Sequence, residues 1–108
     1  MQKVKKSVKI KSDLINPRLD IAFGYACKGI IEVYNSQDDS QSTVNAENGS
    51  SEILFTRIPL KTTLGISGNL EPLPGKLDVS LTIKLECDNK NIEIITINEQ
   101  NFSVILQF

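Results

Sequence analysis

Residues 77–86 read LDVSLTIKLE, with an apolar residue at every odd position and a polar or charged residue at every even position. Successive side chains of a β-strand point to opposite faces, so this period of two predicts a strand with one face in a core. Other stretches repeat the alternation: Leu19, Ile21, Phe23 and Tyr25 before it, and Phe102, Val104, Leu106 and Phe108 after it. We therefore predict an all-β chain.

Turn-forming residues separate about eight such strands, since Gly, Pro, Asn and Asp favour turns. Residues 68–75 contain two prolines and predict a turn-rich connection, whereas the polar residues 35–51 predict a long mobile loop. No helical period interrupts the strands. We predict a single antiparallel β-sandwich domain over residues 1–108, with a small β-barrel as the alternative because both folds alternate in the same way.

Charge is distributed unevenly along the chain. The formal net charge is -1, but residues 1–11 hold five lysines and no acid: Lys3, Lys5, Lys6, Lys9 and Lys11. The acidic remainder argues against a nucleic-acid partner, because phosphate binding needs a concentrated basic face. The lysines are typical of an edge strand kept soluble by charge, and they also suit a basic stripe that meets the acidic body of another copy.

Two cysteines, Cys27 and Cys87, each lie at the end of a predicted strand. Two packed layers could bring them together in one disulfide. The alternative is a pair of separate buried thiols that behave as small hydrophobic side chains.

The chain contains no histidine, which removes the usual general base at neutral pH and the commonest transition-metal ligand. Two cysteines alone cannot complete a zinc site, and the paired carboxylates Asp38 and Asp39 fall in the polar loop. We therefore predict that the protein is not an enzyme and holds no metal and no cofactor.

No apolar run approaches the roughly 18 residues of a membrane-spanning helix, and the first residues lack the apolar segment of a signal peptide. We expect no membrane span. The cytoplasm is the default location, although a mature secreted or surface protein would have the same sequence features.

These features favour a non-catalytic subunit or accessory module of a larger protein assembly, such as a secretion apparatus, a pilus, a phage particle or a surface structure. The partner would be a protein, including another copy of the chain joined through edge strands. The predicted contact residues are the five lysines together with Leu70 and Leu73, at the tip of residues 68–75. The alternative is a ligand-binding module, lectin-like or of effector-inhibitor type, that uses the loops 35–51 and 68–75.

Overall fold

The computed structural model describes residues 1–24, 27–47 and 49–108. These residues form eleven strands, which confirms the all-β prediction: β1 Gln2–Ser7, β2 Leu14–Ile15, β3 Arg18–Phe23, β4 Cys27–Asn35, β5 Ser40–Glu47, β6 Ser50–Leu54, β7 Arg57–Ile58, β8 Thr63–Pro72, β9 Leu81–Cys87, β10 Lys90–Ile97 and β11 Asn101–Gln107. Within the described ranges, no helix is long and apolar enough to cross a membrane.

The strands form two main sheets and one short ribbon. A five-stranded sheet has the order β1-β11-β8-β4-β5, a four-stranded sheet has the order β10-β9-β3-β6, and β2 pairs with β7. The prediction of a purely antiparallel fold is wrong in one place, because β1 runs parallel to β11. Alternation could not reveal this, since parallel and antiparallel strands share the same side-chain period.

The core lies between the two main sheets, and the alternating residues fill it. Leu81, Ile83 and Leu85 of β9 are at most 1% exposed, and β11 buries its own alternating residues in the same way. Leu77 departs from the pattern at 93% exposed, because pairing starts only at Leu81. Tyr25, which continues the alternation of β3, lies outside the described residues.

The predicted long loop at residues 35–51 is wrong. Four residues turn after Asn35, and Ser40–Glu47 then pairs with β4 through eight antiparallel positions. β6 begins at Ser50, and Asn48 lies outside the described residues. The segment is polar because β5 ends its sheet, and Val44 is a side chain of β5 that is buried in the core.

The predicted turn at residues 68–75 is also wrong over its first half, because β8 continues to Pro72. Proline is tolerated there since β8 pairs with β11 only as far as Asn69, so the missing N–H of Pro72 interrupts no ladder hydrogen bond to β11. Leu70 is fully buried opposite Gly29, which contradicts its prediction as an exposed contact, and Leu73 is half-buried. The contact tip proposed for these two leucines is therefore not formed.

The two cysteines are separate buried thiols in this structure and form no disulfide there. Sγ of Cys27 donates to the carbonyl of Ser80, the residue just before β9, over 3.2 Å. Cys87 is the last residue of β9, and its Sγ donates to the Ile15 carbonyl over 3.3 Å. A strand of seven residues places them roughly 20 Å apart.

The ribbon of β2 and β7 is fastened by Asp13, which precedes β2. Its carboxylate accepts a hydrogen bond from the Leu60 backbone N–H over 2.9 Å and from Nε of Arg57 over 2.8 Å. The Leu60 hydrogen bond first, and then the Arg57 guanidinium, lower the pKa of Asp13. The ionised form of Asp13 therefore favours the folded ribbon.

Candidate functional site: the free sheet edges

Four of the described strands end the two main sheets. β1 and β5 end the five-stranded sheet, while β10 and β6 end the four-stranded sheet. An edge strand presents backbone N–H and C=O groups that another polypeptide can use for pairing, unless charge, proline, a bulge or a covering group prevents it. The four edges differ in these protective features.

Both edges of the four-stranded sheet are blunted. β10 has an irregular register between Asn91 and Glu93, and the side chain of Gln2 covers its end. The Gln2 amide donates to the Thr96 carbonyl over 3.2 Å and accepts from the Asn98 N–H over 2.9 Å. β6 has five residues. Short or bulged edges are poor templates for adding a strand.

The lysine-rich edge is β1. It carries Lys3, Lys5 and Lys6, while Lys9 and Lys11 follow directly, and all five side chains are exposed. The Val8 N–H donates to the Gln107 carbonyl of β11 over 2.7 Å. Backbone N–H and C=O groups point to alternate sides along a strand, so the backbone groups of Lys3 and Lys5, at an odd number of positions from Val8, point away from β11. The structure thus places three predicted lysines on an edge strand and two just beyond it.

The opposite edge, β5, lacks such protection. Its eight residues, SQSTVNAE, include no lysine, arginine or proline, and its register with β4 is unbroken. The Ser36 N–H donates to Thr63, on the β8 side, over 3.0 Å. Because backbone groups alternate along β4, those of Val33 point towards β5, where Val33 pairs with Ser42. The backbone groups of Thr43 and Asn45, odd-numbered residues of β5, therefore point to the free side of the sheet. Apolar alternation does not reveal this edge, because β5 is polar.

The turn before β5 is held by its own side chains. The Tyr34 hydroxyl donates to Asp39 over 2.9 Å, and the Ser40 N–H donates to Asp38 over 3.1 Å. The hydrogen bond to Asp39 raises the pKa of Tyr34, and the Ser40 hydrogen bonds lower the pKa of Asp38. Gln37 donates its N–H to the buried side chain of Asn35 over 3.0 Å. The paired aspartates therefore stabilise a hairpin.

Negative charge collects on the β5 side of the molecule. Residues 27–47, which form β4, the turn and β5, contain four acids and one lysine, Lys28. The lysine-rich β1 ends the other side of the same five-stranded sheet. The sequence shows that the two segments differ in charge. Only the strand order of the sheet shows that they lie at opposite edges.

On the outward face of the four-stranded sheet, three carboxylates surround one guanidinium. Arg18 contacts Glu86, and its Nε lies 3.2 Å from Asp20 and 3.5 Å from Glu52. The hydrogen bond to Glu86, with the neighbouring carboxylates, raises the pKa of Arg18. Arg18 compensates one of these three negative charges, so the cluster as a whole stays acidic.

The outward face of the five-stranded sheet is different. A shallow cavity of about 390 Å³ lies over Ser67 and Asn69 of the central strand β8, beside the 51% exposed Ile30. The amide of Asn69 donates to Asn101 of β11 over 2.8 Å. Hydroxyl and amide groups therefore line a surface that also exposes an aliphatic side chain.

No protein-family model, curated protein or solved structure was found to match this chain. Its function is therefore inferred from the pairing, burial and charge of its edges. A chain can share its fold with proteins of many functions, so the edges carry more information than the sandwich itself.

Proposed function

We propose that the chain is a non-catalytic subunit of a larger protein assembly, and that it joins its neighbour by strand pairing at the edges of the five-stranded sheet. The observation that carries this proposal is β5, an eight-residue edge without lysine, arginine or proline. Strand addition to such an edge gains affinity from main-chain hydrogen bonds, which need no particular side chain.

The contrast between the edges supports this proposal. The register shift and the Gln2 side chain blunt β10, and β6 is short, whereas β5 keeps a regular register with β4. Soluble proteins commonly protect a long edge, so an unprotected one favours a role in pairing.

The test blocks the β5 edge without breaking its hydrogen bonds to β4. Thr43→Pro removes an N–H on the free side, whereas the control Thr43→Val keeps the N–H and the β-branched shape. We expect the wild type and the control to gain mass with concentration in sedimentation velocity, while the proline variant stays monomeric. Thr43→Lys, a charge-based block, provides a second variant if proline lowers the urea midpoint. A monomeric wild type, or folded blocked variants that associate normally, would refute the proposal.

Ligand binding on the outward face of the five-stranded sheet is the second candidate function. The predicted binding loops 35–51 and 68–75 are partly strands β5 and β8. The polar side chains of Ser67 and Asn69 beside the exposed Ile30 favour ligand binding on this face. Hydroxyl and amide side chains suit a neutral oligosaccharide. Amide chemical shifts that change on β8 and β11 when such sugars are added would support this candidate, and unchanged shifts would reject it.

A further inference from the structure

We infer that β1 of one copy pairs with β5 of the next copy, so that the five-stranded sheets join into one continuous sheet. This inference rests on the proposed function and specifies the partner: a second copy of the same chain, joined head to tail. Three features of the structure support it: the charge of the two edges, the directions of their strands, and the backbone groups that each strand leaves free.

Charge complementarity is the first feature. β1 and the residues that follow it carry five lysines, whereas residues 27–47, which form β4, the turn and β5, carry four acids and one lysine. If Lys3 or Lys5 of a second copy lay beside Thr43, it would share the outward face with Glu32, roughly 10 Å away across two strand spacings. At physiological ionic strength, where the Debye length is about 8 Å, this attraction is largely screened, and it strengthens at low salt.

Strand direction is the second feature. β11, β8, β4 and β5 alternate in direction, and β1 is parallel to β11. β1 and β5 therefore run in opposite directions within one copy. A copy placed beside another in the same orientation thus sets its β1 antiparallel to β5, with both outward faces on the same side.

This orientation also aligns the charged segments beyond the strands. In an antiparallel pair, the residues after one strand lie beside the residues before the other. Lys9 and Lys11 follow β1, and Asp38 and Asp39 precede β5. The four residues would thus meet at one end of the new pair, which fixes its direction by charge.

Free backbone groups are the third feature. Lys3 and Lys5 on β1, like Thr43 and Asn45 on β5, direct their N–H and C=O groups away from their own sheet. A head-to-tail contact leaves one β1 and one β5 free at the two ends, so the assembly stays open to growth. Five strands per copy give a repeat of roughly 24 Å across the sheet.

The decisive experiment uses two full-length variants, each with one edge disabled. Lys3→Glu combined with Lys5→Glu reverses the charge of β1 and leaves β5 intact, whereas Thr43→Pro disables β5 and leaves β1 intact. The matched control is Lys61→Glu combined with Lys90→Glu, which makes the same change of net charge at exposed sites away from both edges. Urea unfolding verifies that each variant is folded, and Lys5→Pro serves as a second β1 block.

We expect each edge variant alone to remain monomeric and their mixture to form a one-to-one dimer of twice the chain mass in sedimentation velocity. The control should assemble like the wild type, and added salt should weaken wild-type assembly by about tenfold or more. Self-association of the folded β1 variants would show that β5 pairs with β5, which overturns this inference and leaves the proposed function standing. A mixture that stays monomeric while the wild type assembles would also overturn it. A wild type that never assembles refutes both.

Discussion

Val44→Ala tests whether the polar segment after Asn35 is a packed strand. Val44 is 9% exposed on β5 and lies opposite the fully buried Ile31 of β4. The substitution removes two carbons from the core, worth about 0.8 kcal/mol each in lost burial. A residual cavity adds to that loss, so we expect the free energy of unfolding to fall by about 1.5–2.5 kcal/mol.

The assay is urea unfolding followed by circular dichroism, with Asn45→Ala as the matched control. Asn45 is the next residue and is exposed, so its substitution should change the free energy of unfolding by less than about 0.5 kcal/mol. If Val44→Ala also changed it by less than about 0.5 kcal/mol with an unchanged m-value, the packing of β5 against the core would be refuted.

Three further predictions test other parts of the fold. Gly68→Ala should lower the free energy of unfolding by about 1–3 kcal/mol, since the new β-carbon would lie 2.4 Å from a backbone oxygen of β4. The control Gly65→Ala should be almost neutral, because the atom nearest to its β-carbon is 3.8 Å away. Equal losses of stability in the two variants would argue against this packing. Cys27 and Cys87 should resist a thiol reagent in the native protein and both react in urea, and reductant should leave the melting temperature unchanged; a shift with reductant would indicate a disulfide. Because the pKa of Asp13 is lowered in the folded protein, its contribution to stability is complete above the unfolded pKa of about 4 and is lost as the pH falls through the folded pKa. Asp13→Asn should therefore flatten the acid side of the plot of stability against pH. An unaltered plot would contradict this role.

The sequence predicted the strands that have a buried face and many inward residues. Leu81, Ile83 and Leu85 could be assigned to the core because β9 lies inside its sheet and packs one whole face inward. Leu77 extended the same alternation and is exposed, because side-chain period does not show where backbone pairing begins.

The candidate site was less predictable for a physical reason. An edge strand has one neighbour, so β5 needs little apolar surface, and its sequence resembles a loop apart from Val44. The lysines of β1 did predict an edge, because charge on a strand is a known protection against unwanted pairing. Which strand β1 pairs with was not predictable, since its partner β11 is distant in sequence.

The pairing of β1 with β11 has a consequence for the time course of folding. Gln2 lies opposite Phe102, so this ladder closes only after most of the intervening chain has been ordered. Contacts between such distant residues form slowly, because the entropy of closing a long loop is lost before any hydrogen bond is gained. During that interval β1 is an unpaired strand beside many unfolded neighbours in the cell. Its repeated positive charge would then oppose pairing of one unpaired β1 with another β1.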